Sequence, residues 1–137
     1  MRYLLDTNAC IRYLNGQSKR VKNRLESTRP QDIALCSIGS IVKAELFYGV
    51  EKSAKRERNM ERLQRFIDQF VSLPFDDEAA VEYGQIRAQL EAIGTPIGPN
   101  DLCIAAIARV KDITLVTHNT REFSRVDGLK LEDWEVT

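Results

Sequence analysis

Short apolar runs alternate with helix-period stripes along this chain, and that alternation limits the possible folds more than any other feature. Tyr3-Leu4-Leu5 reads as a buried strand that ends at Asp6. Thr7 or Asn8 can cap a short helix through Leu14, which Asn15-Gly16 terminates. Ser18 to Thr28 carries Val21 and Leu25 four residues apart, and Pro30 ends that helix. Ile33 to Ser37 reads as a second strand. Gly39-Ser40 opens a helix carrying Ile41, Ala44, Leu46 and Tyr48, and a longer helix follows with Met60, Leu63, Phe66, Ile67 and Phe70 on one stripe. Val71 to Leu73 is a short strand stopped by Pro74. Asp76 caps a helix expected to turn Ala79, Ala80, Tyr83, Ile86, Leu90 and Ile93 inward, with Gly94 as its stop. Gly94 to Pro99 is expected to be a loop, followed by a helix from near Asp101 through Val110, a strand over Thr114–Thr117, one helical turn over Arg121–Arg125 and a last strand over Leu129–Leu131.

The strands are continuous apolar runs without period-2 alternation. Strands of that kind are covered on both faces, so the pattern predicts an α/β fold around a mostly parallel sheet. A chain of 137 residues is one domain by size and needs no covalent staple. Hydrophobic residues at 43% and charged residues at 29% exclude a disordered chain. No apolar run approaches the roughly 20 residues that span a bilayer. Asp6 and Arg12 break any signal-peptide core, which places the protein in the cytoplasm, with no membrane partner. Cys10, Cys36 and Cys103 show no CxxC spacing and read as reduced, buried thiols. A single histidine with scattered cysteines argues against a structural zinc site.

In open parallel sheets, chemistry gathers at the carboxyl ends of the strands. Asp6 ends the first strand there. Asp101 stands at a helix start, Glu122 follows the Thr114–Thr117 strand with Asn119 between, and Glu45 sits inside an apolar helix. Each has a plain structural reading. Asp6 could cap a helix, Asp101 could favour a helix N-terminus, Glu45 and Glu122 could be solvated, and Asn119 could be a turn residue. Carboxylates gathered at one sheet end repel each other unless a cation joins them. Oxygen donors without His or Cys suit Mg²⁺ or Mn²⁺, ions that commonly serve phosphoryl transfer.

Four segments then match a known pattern in order: LLDTNACIRYLNG, IVKAELFYGVEKS, IGPNDLCIAAIA and LVTHNTREFSRVDGLKLEDW. Together they make the chain resemble PIN-domain ribonucleases, and among them the toxins of VapBC toxin–antitoxin pairs. The resemblance implies an α/β/α sandwich with a four- or five-stranded parallel sheet over residues 1–137. It implies a metal-dependent endoribonuclease that uses a metal-activated water. The family's acids fall on Asp6, Glu45 and Asp101, which would hold Mg²⁺ or Mn²⁺, and Glu122 is the fourth acid carried over. Position 119 is Asn, so a four-Asp site is not present. Thr7, Asn8, Thr117 and Asn119 match positions that line the site. The resemblance also implies a homodimer, inhibited in a hetero-oligomer by a cognate VapB-type antitoxin whose C-terminal segment lies over the acids. The implied substrate is structured RNA, extending to transfer RNA.

Other classes fit less well. A haloacid-dehalogenase-like phosphatase wants an Asp two residues after Asp6, where this chain has Asn8. A receiver-type phospho-acceptor wants an Asp ending a later strand, where the second strand has Cys36-Ser37. A catalytically silent PIN fold that binds RNA or protein is the remaining alternative. His118 reads as a rim or substrate-contacting residue, and Trp134 as part of a core-sealing tail.

Lys plus Arg and Asp plus Glu both total 20, a zero balance that weighs against a nucleic-acid enzyme at first sight. The charges are segregated, however. Residues 18–29 carry a local net of +4 and include Lys19 and Arg20; residues 52–65 carry another +4 and include Arg56 and Arg58. These runs are either solvated helix faces or RNA-backbone contacts beside an acidic site.

Overall fold

The computed structural model describes residues 2–36 and 41–136, without the side chains of 34–36 and 41. A five-stranded sheet runs in the order β3-β2-β1-β4-β5. Its strands are β1 (Tyr3–Leu5), β2 (Ile33–Cys36), β3 (Val71–Leu73), β4 (Thr114–Val116) and β5 (Leu131–Glu132). Every pairing is parallel. Parallel neighbours need long crossovers, and helices supply them here. They are α1 (Thr7–Leu14), α2 (Lys19–Glu26), α3 (Ile41–Glu51), α4 (Arg56–Ile67), α5 (Asp77–Ala92), α6 (Pro99–Lys111) and α7 (Thr120–Phe123).

β1 lies at the centre with all of its residues buried, as its unbroken apolar run requires. The chain proceeds outward from β1 through β2 and β3 on one side, then returns to lay β4 and β5 on the other. The strand order therefore reverses at the β1/β4 boundary, where open α/β sheets place their crevice.

Local chemistry explains the helix starts. Ser18 Oγ accepts from Val21 N at 3.3 Å and Asp76 Oδ1 from Ala79 N at 3.0 Å, so each caps an otherwise unsatisfied amide. At the far end of the chain, Trp134 is buried and meets Tyr3 edge-on at 5.3 Å, with the Arg24 guanidinium 5.3 Å from the indole. This agrees with the core-sealing reading of the tail.

Several sequence expectations need correction. α6 begins at Pro99, two residues before Asp101, because proline suits the first helical position, where its missing N–H costs nothing. The last strand is Leu131–Glu132, since the amides of Leu115 and Thr117 bond the carbonyls of Lys130 and Glu132. Ala80 and Ile93 are exposed; the buried stripe of α5 is Ala79, Ile86 and Leu90, with Tyr83 half-buried. Ile93 caps the helix beyond its last turn. Phe70 lies past the end of α4 yet still packs on Phe66 at 5.0 Å. Cys10 is buried, but Cys103 is only half-buried, and the Cys36 side chain lies outside the described residues. Ser37, Gly39 and Ser40, expected at a strand end and a helix start, also lie outside them. No described helix is long and apolar enough to cross a membrane.

Candidate active site

Asp6 leaves β1 at its carboxyl end and is buried, with 5% of its surface exposed. Its Oδ1 accepts from Ala9 N at 2.8 Å, so it does cap α1. That structural role occupies one face of the carboxylate. The Thr117 hydroxyl, one residue beyond β4, hydrogen-bonds the same group. Burial pushes the Asp6 carboxyl above its ordinary pKa; the bonds from Thr117 and Ala9 pull it down, and the charges of Asp101 and Glu135 push it up.

Asp101 occupies the first turn of α6, where the helix N-terminus favours negative charge. Its pKa is nevertheless raised, by burial first and then by the charges of Glu122 and Glu45. Asp101 is thus the hub of the group. It senses Glu122 and Glu45, and Asp6 senses it.

Glu45 is exposed on α3, and its Oε1 accepts from Asn100 Nδ2 at 3.1 Å. Asn100 ties α3 to the start of α6, a link that the sequence did not suggest. Glu122, in α7, accepts at Oε2 from Asn119 Nδ2 at 3.0 Å, while the Asn119 amide donates to Thr117 Oγ1 at 3.0 Å. Asn119 and Glu122 are therefore direct hydrogen-bonded neighbours. Among the described residues, none of Asp6, Glu45, Asp101 and Glu122 has a Lys or Arg ion-pair partner. Thr7, beside Asp6, has a buried hydroxyl with no hydrogen-bond partner among the described residues. Asn8 is exposed on the next position of α1.

The basic candidates are more dispersed. Lys19 and Arg20 are exposed on α2, and Arg20 donates to the Glu135 carbonyl at 3.1 Å. Arg56 starts α4 and grips Glu51 with two bonds of 2.8 and 2.7 Å. Arg58 is exposed. Arg62, from the second basic run, lines a groove with Glu45, Leu14, Leu46, Val50 and Leu63.

A parallel sheet with a carboxylate group at its switch point defines the class. The chain belongs to the PIN-domain family, whose model matches residues 3–129. It is 40% identical over 134 residues to the tRNA(fMet)-specific endonuclease VapC of Salmonella typhimurium, covering 98% of each chain. The crystal structure of DNA-bound VapBC from Salmonella typhimurium matches with a TM-score of 0.89 and 38% identity over 98% of both chains. A VapBC complex from Rickettsia felis bound to a promoter DNA fragment matches with a TM-score of 0.87 and 40% identity, over 98% of this chain and 99% of that one.

Proposed function

We propose that this chain is an endoribonuclease toxin that cuts structured RNA, transfer RNA included, and is held inactive by a VapB-type antitoxin. The single observation that carries the reading is the convergence on Asp101: the charges of Glu122 and Glu45 raise its pKa, its own charge raises that of Asp6, and none of the four acids has a Lys or Arg ion-pair partner among the described residues. The likeness to VapC endonucleases over nearly the whole chain supports the same activity.

The donor set fits a hard divalent cation. It is all oxygen, its charges repel, and the Thr7 hydroxyl beside it is buried without a partner among the described residues. Asp6, Glu45 and Asp101 would hold Mg²⁺ or Mn²⁺, with Glu122 completing the group. Such an ion supplies Lewis-acid activation of water and offsets charge on the leaving oxygen. The residues of the chain provide the frame. Ala9 N–H and the Thr117 hydroxyl fix the Asp6 carboxylate, Asn100 fixes Glu45, and Asn119 fixes Glu122. Lys19, Arg20, Arg56 and Arg58 would contact the RNA backbone. The apolar groove that joins Glu45 to Arg62 suits an antitoxin segment. Residues 1–137 form one PIN domain in this reading, because Trp134 packs back onto Tyr3 of β1.

The test is RNA cleavage in Mg²⁺ by Asp101→Asn beside the parent protein, with folding checked by circular dichroism. Loss of cleavage with retained folding is expected. RNA binding without cleavage by the parent protein would favour the silent-module alternative.

A further inference from the structure

We propose that His118, Asp133 and Glu135 form a second cation site, selective for a borderline divalent transition metal of the Zn²⁺ class. None of the three belongs to the acid group described above. His118 follows Thr117 beyond β4, and Asp133 and Glu135 follow the neighbouring strand β5. Parallel pairing brings both segments to one end of the sheet.

The His118 Nδ1 atom lies 2.9 Å from Asp133 Oδ2 and 3.5 Å from Glu135 Oε2. All three ligand atoms fall within 4.8 Å of one another. Four ligands at tetrahedral zinc distances stand about 3.3 Å apart, so two of these edges already bracket the required value. The remaining carboxylate oxygens are held elsewhere. Arg12 Nε takes Glu135 Oε1 at 3.2 Å, and the Glu135 amide donates to Asp133 Oδ1 at 2.9 Å. Outer contacts of this kind orient the ligands of a metal. Nitrogen from a neutral imidazole with two carboxylate oxygens suits Zn²⁺ over Mg²⁺. The His118 side chain is 55% exposed, which leaves an entry path and an open fourth position. Charge on Glu135 reaches Asp6, so an ion here also changes the field at the acid site.

A count of His and Cys alone misses Asp133 and Glu135, which a turn closed by the Glu135 amide on Asp133 Oδ1 brings to the same place.

The test uses the full chain carrying Asp101→Asn, which weakens ion binding at the acid group. His118 is the only histidine, so its imidazole NMR signals need no assignment. One equivalent of Zn²⁺ is expected to shift those signals, and Mg²⁺ is expected to leave them unmoved. Calorimetry should give one Zn²⁺ per chain, with affinity about tenfold lower or worse in Asp133→Asn, Glu135→Gln and His118→Ala. The proposal is overturned if Zn²⁺ leaves the imidazole unmoved. It is equally overturned if the shift survives at the same Zn²⁺ concentration in both carboxylate variants, because His118 is then a lone ligand.

Discussion

The Thr117 hydroxyl hydrogen-bonds the Asp6 carboxylate across the carboxyl ends of two neighbouring parallel strands. It favours the charged form of a buried acid. Thr117→Val keeps the shape and removes the donor, so the Asp6 pKa should climb further. The acid limb of a cleavage–pH profile should then move to higher pH. A uniform loss of rate with an unmoved limb would contradict this role.

Asp6 and Asp101 both have folded-state pKa values above their ordinary 3.8. The folded state therefore holds protons that the unfolded state releases. Their contribution to stability is largest below pH 3.8 and declines as pH rises through the raised values. Metal-free protein in which Asn replaces Asp101 should thus melt at a higher temperature than the parent at pH 7. Calorimetric melting from pH 4 to 8 checks this, and equal melting across the range would refute it.

Asn119 holds Glu122 by a 3.0 Å bond, so the two should act as a unit. Glu122→Gln should reduce RNA cleavage by about 10–100-fold, and Asn119→Ala by less. The double variant should fall well short of the product of the two effects. Full multiplicativity in single-turnover rates would separate their roles.

Arg56 is bound by Glu51 while Arg58 is exposed. Exposed ion pairs are weak, yet they compete with a phosphate for the same guanidinium. Arg58→Glu should weaken RNA binding and reduce the slope of log affinity against log salt by about one phosphate contact, roughly 0.7. Arg56→Glu should do less. Unchanged binding in both would make this helix face merely solvated.

Trp134 is buried against Tyr3. Trp134→Ala should cost about 3–5 kcal/mol of unfolding free energy in urea titrations, as large aromatic truncations do. A cost below about 1 kcal/mol would show that the tail contributes little to the core.

The order of elements was legible because short apolar runs and helical stripes have different periods, and the parallel sheet followed from those runs. Asp6, Glu45 and Asp101 could be picked out from the motifs; their electrostatic coupling could not, because it arises from residues 56 and 95 positions apart. The start of α6 is ambiguous in the sequence because Gly98-Pro99 carries both a loop signal and a helix-start signal. Ala80 and Ile93 look inward from the sequence but are exposed, because α5 buries a narrower stripe than its apolar content suggests. Asn100, which holds Glu45, and the His118 cluster left little trace, since side-chain bonds between distant segments have no sequence period.

The central position of β1 also bears on how the protein is made. Tyr3, Leu4 and Leu5 leave the ribosome 111 residues ahead of their β4 partners Thr114, Leu115 and Val116. The sheet cannot close, and Asp6 cannot meet Thr117, until β4 has been translated. Such distant pairing slows folding. It also means that a product terminated before β4 lacks the Thr117 side of the crevice, so a cell translating this message meets the proposed cutting activity only from chains that extend past β4.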